Sequence, residues 1–231
     1  MANDPLTFEL YIERLIEFSP RMIESMGETG IMMVFSVLAA ILLGLPLGTY
    51  IFLTSPGRPL ENRLINEVLN AFVNIIRSFP FLLLVIVMQP LIRATYGRAT
   101  GDPVAASFPM MVIAIALYAR FVEQSLLDIP KEITETAQAL GATISQYIFK
   151  FLYVEARSSL IIGFTTAFVS FISYSTIMGT VGGGGIGDFA IRYGYHRYET
   201  DIMYTAIVII ILFVQVIQWA GLKLARKLDK K

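Results

Sequence analysis

Cysteine is absent from this chain, and histidine occurs once, at His196. The first absence excludes a disulfide framework and a thiolate metal site. A single imidazole does not build a metal centre, so we expect the chain to bind no metal or other cofactor. The sequence shows no constellation in which a histidine pairs with a carboxylate and a nucleophile, so we expect no catalytic site.

Charge is also scarce, at 16% of residues against about 25% in an ordinary soluble domain. Hydrophobic residues make up 55% of the chain and the mean hydropathy is positive. This composition predicts an integral membrane protein that has the lipid bilayer as one of its partners. The net charge is zero, which gives no indication of a nucleic-acid partner.

A Gly-Lys dipeptide is missing as well, so the chain has no Walker A loop and does not hydrolyse ATP by that route. Gly182, Gly184 and Gly187 satisfy G-x-G-x-x-G, but they follow an apolar segment rather than a strand, which argues against a dinucleotide site. We expect this run to let the backbone turn sharply. A role in lining a translocation path is the alternative.

Five apolar segments are candidates to cross a bilayer core of roughly 30 Å. They predict an all-α membrane protein with five transmembrane helices. The segments lie between Glu28 and Arg58, and at residues 68–92, 103–119, 158–187 and 202–222.

The distribution of Lys and Arg favours an extracytoplasmic N-terminus and a cytoplasmic C-terminus. In that orientation the inside carries eleven cations, which are Arg58, Arg63, Arg120, Lys131, Lys150, Arg157, Lys223, Arg226, Lys227, Lys230 and Lys231. The outside carries six, which are Arg14, Arg21, Arg93, Arg98, Arg192 and Arg197.

Residues 1–27 form an amphipathic segment ahead of a single membrane domain at residues 28–231. Apolar residues recur there at three- and four-residue steps, at Phe8, Ile12, Leu15, Met22 and Met26. A helix lying at the membrane interface and a lead-in helix packed against the bundle are equally compatible with this pattern.

Charges are almost absent from the predicted spans, whereas ion-coupled carriers usually bury acidic, basic or histidine side chains there. Arg77 is the exception. Its side chain either reaches back to the headgroups or makes a structural or gating contact inside the bundle.

The fourth span is rich in small hydroxyl residues, which commonly hold membrane helices together. Ser170, Ser173 and Tyr174 fall on one helical face, so they are also candidates to line a polar path. Met178 completes this set of pathway candidates.

Residues 128–160 form the longest polar interval, and its pattern is that of a structured loop. Pro130 suits the first turn of a helix, good helix formers follow to Leu140, and Gly141 suits a left-handed helix end. Thr143 and Gln146 are spaced as a capping box that starts a second helix. A compact loop of this kind between two spans is typical of a docking element.

The sequence ETAQALGA from Glu135 to Ala142 resembles the EAA loop of permease subunits of ABC importers. The positions that match the motif are Glu135, Ala137, Leu140, Gly141 and Ala142. Thr136 and Val154 depart from it, at sites where Ala and Pro are usual. The resemblance implies coupling helices that sit in a groove of a cytoplasmic ATPase, with Glu135 pairing or capping partner groups and Ala137 and Gly141 allowing a close fit.

Weaker matches over most of the chain resemble the methionine-type permeases of this family. They are the segments 77–81, 122–130, 174–175, 181–187 and 193–195. The resemblance implies a type I importer permease in a bacterial cell membrane. It also implies a second copy of the chain, a cytoplasmic ATPase dimer that uses ATP and Mg²⁺, and an extracellular or periplasmic methionine-binding lipoprotein.

Three rival interpretations remain. A permease of the same family for another amino acid or small solute would share the loop and differ in its path. An ion-coupled secondary carrier would need no ATPase, and the charge-poor spans argue against it. A membrane scaffold or sensor would move no solute and would leave the capped loop without a purpose.

Overall fold

A computed structural model describes residues 8–229, and every regular element in that range is helical. The helices are α1 (Phe8–Ala39), α2 (Leu45–Thr54), α3 (Arg63–Ser78), α4 (Phe81–Tyr96), α5 (Pro103–Leu127), α6 (Lys131–Ala139), α7 (Ile144–Gln146), α8 (Tyr153–Glu155), α9 (Arg157–Thr180), α10 (Gly185–Phe189) and α11 (Thr200–Leu228). Three wider π-helical turns occupy Ala40–Gly44, Tyr147–Leu152 and Ala190–Tyr195. The predicted all-α membrane fold is confirmed.

Four helical segments are long and apolar enough to cross a membrane, at Phe8–Thr54, Pro103–Leu127, Arg157–Thr180 and Thr200–Leu228. A fifth candidate is the pair α3 and α4, which a sharp bend separates. Phe79 adopts an extended conformation after α3, and Pro80 precedes α4. The number of spans therefore reaches the predicted five when this broken pair counts as one.

Two helices end at other residues than the apolar segments that predicted them. Helix α5 continues past Ala119 to Leu127, and Arg120 and Glu123 form an ion pair at 2.5 Å in this extension. Helix α9 stops at Thr180, where the glycine-rich turn expected at the end of the fourth span begins.

The N-terminal segment and the first span form one continuous helical run. Met22 is buried, and Leu15 and Phe18 pack against the same cluster, which includes Phe189. These contacts favour the lead-in helix over an isolated interfacial helix. Residues 1–7 of that segment, and Lys230 and Lys231 of the charge count, lie outside the described range. The proposed division at residue 28 stays a prediction.

The described part of the chain divides into two compact units. The first comprises residues 8–34, 81–110 and 172–215, and the second comprises residues 35–80, 111–171 and 216–229.

The second unit is built on close helix contacts. A Cβ on Gly48 would lie 2.2 Å from the carbonyl oxygen of Ala119, so the glycine allows α2 and α5 to touch backbone to backbone. Beside this contact, Ile51, Val73 and Ala116 are buried together. This cluster joins α2, α3 and α5.

Candidate functional site

The loop at residues 128–160 has the helix–turn–helix form that its sequence predicts. Helix α6 ends in a Schellman motif, in which the Gly141 amide donates to the Gln138 carbonyl at 2.9 Å and the Ala142 amide donates to Ala137 at 3.0 Å. Gly141 has a φ of +65°, a conformation that glycine adopts without steric cost.

The predicted capping box is also present. The Gln146 amide donates to the Thr143 hydroxyl at 3.3 Å, and the Gln146 side chain accepts from the Thr143 amide at 3.0 Å. Together the two caps satisfy backbone groups on both sides of the turn, which makes the loop stiff without support from a partner.

Beyond the capping box, the second helix is less regular than predicted. It widens into the π-helical turn at Tyr147–Leu152, and Ala156 interrupts the helix between α8 and α9. Val154 stands where the EAA motif often has proline. The break at Ala156 therefore forms without a proline at position 154. A π-helical turn inside a helix is frequent at functional positions.

The five residues that match the EAA motif differ in their exposure. Glu135, Leu140 and Gly141 are exposed, with Leu140 at 71%. Ala142 is half-buried. Ala137 is 2% exposed, so its small side chain packs within this unit, and the role predicted for it at a partner's groove stays a prediction.

The interior of the loop is fixed by a polar contact that sequence reasoning missed. The hydroxyl of Thr134 and the phenol of Tyr147 are 2.8 Å apart, and both side chains are buried. The Arg58 guanidinium donates to Thr134 at 3.2 Å and lies 4.3 Å from the centre of the Phe52 ring. This contact ties α6 to the end of the first span. No local pattern marks a threonine and a tyrosine thirteen residues apart as partners.

A second contact joins the loop to α2. Thr49 donates to its own helix at the Leu45 carbonyl, 2.8 Å away, so the Tyr153 phenol donates to Thr49 at 2.8 Å. Burial raises the pKa of Tyr153, and the hydrogen bond with Thr49 acts in the opposite direction. The phenol therefore stays protonated and available as a donor at neutral pH.

Further contacts connect the helices that flank the loop. The Ser159 hydroxyl donates to the Ser125 hydroxyl at 2.9 Å, which links α9 to α5. The Arg157 guanidinium donates to the Leu228 carbonyl at 2.7 Å, at the end of α11. Hydrogen bonds thus connect the loop and the residues that flank it to α2, α5, α9 and α11 within this unit.

The four pathway candidates on α9 fall in different units. Ser170 belongs to the second unit and donates to the Thr166 carbonyl at 3.2 Å. In the first unit, Ser173 is exposed, Tyr174 stacks on Phe81 at 4.6 Å between ring centres, and Met178 is 2% exposed. Their role in a path stays a prediction.

The glycine run forms the sharp turn that was predicted. Gly182, Gly184 and Gly185 have φ values of +80°, +78° and +90°. The Glu28 carboxylate accepts from the Gly185 amide at 2.6 Å, and the Thr29 hydroxyl accepts from the Ile186 amide at 2.9 Å. Sequence reasoning identified the turn but not the two α1 residues that hold it.

No group of three or more His, Asp or Glu side chains lies together in a form that could hold a metal ion within residues 8–229.

Comparison with known proteins gives a consistent result over most of the chain. Residues 40–230 match a family described as binding-protein-dependent transport system inner membrane component. A protein of Pasteurella multocida described as a probable D-methionine transport system permease is 42% identical over 92% of this chain and 100% of its own length. A methionine import system permease of Bacillus subtilis is 37% identical over 78% of this chain and 81% of its own.

Solved structures agree with these relatives. An inward-facing structure of the MetNI methionine ABC transporter matches with a TM-score of 0.89 and 33% identity, covering 93% of this chain and 99% of the matched one. A structure of an amino acid ABC transporter is 15% identical with a TM-score of 0.76 over 93% of this chain and 97% of its own, which shows a shared fold.

Proposed function

Because the chain belongs to the family of binding-protein-dependent transport system inner membrane components, we propose that it is the membrane-spanning subunit of an ATP-driven importer of methionine. The observation that carries this proposal is the 42% identity, over nearly the whole chain, to a protein described as a D-methionine permease. The substrate class includes L- and D-methionine and close derivatives.

The proposed assembly contains two copies of this chain, with the path at their interface, and a cytoplasmic ATPase dimer. The match to a chain of the MetNI transporter supports this arrangement. ATP and Mg²⁺ act in the ATPase, so this subunit is not itself an enzyme. A binding protein on the outer side delivers the solute.

The loop at residues 128–160 is the proposed contact with the ATPase. Its exposed surface carries Glu135 and the apolar side chain of Leu140, which are suited to a partner's groove. Its two caps and the buried contact between Thr134 and Tyr147 make it rigid. ATP binding closes the ATPase pair, and the loop carries that motion into the spans, which alternate between outward-open and inward-open states.

The proposed orientation places the N-terminus outside and the C-terminus in the cytoplasm of a bacterial cell. It rests on the excess of Lys and Arg in the segments that would lie inside. This orientation also places the 128–160 loop on the side where an ATPase has access to ATP.

Uptake of labelled methionine tests the proposal in cells that lack this chain. We expect uptake to return with the natural chain and not with Glu135→Lys, and to require ATP rather than the ion gradient. ATP-dependent uptake of a different solute would retain the mechanism and replace the substrate. Uptake that needs only the ion gradient would support a secondary carrier and contradict the proposal.

A further inference from the structure

Helix α3 carries an exposed polar face along a segment predicted to lie in the membrane. Glu67, Asn74, Arg77 and Ser78 are exposed side chains of this helix. At 3.6 residues per turn, they fall within about a third of its circumference.

The other faces of α3 are apolar. Val73 is buried, and Leu69 and Ile76 pack around the cluster to which it belongs. A third face is apolar but exposed, at Leu64, Val68, Phe72 and Ile75. An exposed apolar face is what a helix presents to lipid, so the polar face requires a different environment.

The packing of α3 on α5 separates the distal part of this polar face from the charged start of the helix. Val73 packs against Ala116 and Ala119, which lie inside the α5 span. Arg77 is one helical turn beyond Val73, and about 21 Å along the helix from Arg63 at 1.5 Å per residue. This separation along α3 argues against the interpretation that the Arg77 side chain reaches back to the headgroups near the start of the helix.

Among the residues that the structure describes, Arg77 has no ion pair or side-chain hydrogen bond, and the side chains of Arg77 and Asn74 are exposed. The polar contacts on this face are local, between Arg63 and Glu67 and from the Ser78 hydroxyl to the Asn74 carbonyl. Charged groups inside a membrane face a water-filled cavity or pair with one another, because exposure to lipid is costly. Water between two copies of the chain meets this requirement.

We propose that the polar face of α3 from Asn74 to Ser78 lines the solute path, and that Arg77 attracts the carboxylate of the amino-acid solute. This inference rests on the proposed function and identifies residues that act in it. A guanidinium binds a carboxylate through two parallel hydrogen bonds, and the Asn74 amide offers both a donor and an acceptor. The neighbouring apolar face of α3 then contacts lipid or a helix of the second copy of the chain.

Substituted cysteines test the path directly, and the natural chain contributes no background because it has none. Asn74→Cys and Ser78→Cys are each assembled with the ATPase in membrane vesicles and treated with a charged, membrane-impermeant methanethiosulfonate. Ile75→Cys is the matched control, since Ile75 is 60% exposed but lies on the apolar face.

We expect both polar-face cysteines to react at least tenfold faster than Cys at position 75, and methionine to slow their reaction. Reaction rates equal to the control for both variants would overturn the proposal. A disulfide between two copies at position 74, without reaction with the reagent, would place this face in a dry interface and would also overturn it.

The charge at position 77 has its own test. We expect Arg77→Gln to lower the rate of methionine uptake at least tenfold at equal membrane levels, and Arg77→Lys to retain most of it. Equal loss in both variants would indicate a structural role and contradict a charge-based one. Uptake of a different solute by the natural chain would contradict the proposed function while leaving the cysteine reactivity a valid test of the path.

Discussion

The hydroxyl of Thr134 and the phenol of Tyr147 lie 2.8 Å apart inside the 128–160 loop, and Arg58 donates to the same threonine. This contact fixes α6 against the segment that follows the capping box. It also ties the loop to the end of the first span. The loop is therefore a rigid part of the second unit rather than a flexible connection.

Removing the phenol should weaken this anchor. In Tyr147→Phe the buried Thr134 hydroxyl loses one of its two partners and keeps only Arg58, which costs about 1 kcal/mol. For a protein of this size, the melting temperature should fall by about 2–4 °C. Thermal unfolding of the purified complex in detergent measures it, with Tyr50→Phe as control because Tyr50 is 42% exposed. Equal shifts in both variants would argue against the anchor.

Substitutions at Gly141 should be limited by the backbone conformation of the turn rather than by clashes with neighbouring atoms. A Cβ there would contact nothing within 4 Å, but φ is +65°, which costs an ordinary residue about 1–2 kcal/mol. We expect Gly141→Leu to abolish methionine uptake while the protein still inserts in the membrane. Gly141→Asn should retain uptake, because asparagine tolerates this conformation.

Gly57 offers a matched control for that variant. It has a φ of +76° and equally open space, in a different connection. Gly57→Leu carries similar backbone strain, so it should lower stability by a similar amount and leave coupling intact. If both variants lose uptake, the loss in Gly141→Leu comes from general instability rather than from a failure of coupling.

Local sequence patterns predicted the helices and caps of the 128–160 loop. They did not predict the contacts that hold the loop against the other helices. Gly141 and the Thr143–Gln146 pair act within a few residues, so their caps could be predicted and are confirmed. Pro130 was expected in the first turn of α6 and lies one position earlier, at the N-cap. Contacts such as Arg58 with Thr134 depend on how helices cross, which no short pattern encodes. The spans were identified from local hydrophobicity, whereas the continuation of α5 from Arg120 to Leu127 lies beyond the apolar segment that predicted it.

The contact between α2 and α5 should tolerate no added atom at Gly48. A methyl group there would lie 2.2 Å from the Ala119 carbonyl oxygen, so the two helices would have to separate. Overpacking of this kind typically costs about 1–3 kcal/mol. We expect Gly48→Ala to reduce the folded fraction on size-exclusion chromatography. Gly30→Ala, which meets nothing within 4 Å, should leave it unchanged, and a tolerated Gly48→Ala would contradict the close contact.

The Glu28 carboxylate should protect the glycine-rich turn of the first unit. It accepts from the Gly185 amide at 2.6 Å, and glutamine can accept in the same position, whereas alanine cannot. Hydrogen exchange of the peptide that covers residues 181–190 should accelerate in Glu28→Ala and stay near the natural rate in Glu28→Gln. Unchanged exchange in Glu28→Ala would show that Glu28 does not hold the turn.

The most direct test of the account is ATP-driven methionine uptake by the reconstituted complex carrying Leu140→Asp. Leu140 is 71% exposed at the tip of the loop, so the substitution should spare the fold of this chain and disrupt an apolar contact with the ATPase. We predict that uptake is lost and that the ATPase no longer co-purifies, while Leu140→Met retains both. Full uptake and co-purification with Leu140→Asp would contradict the assignment of this loop as the coupling element.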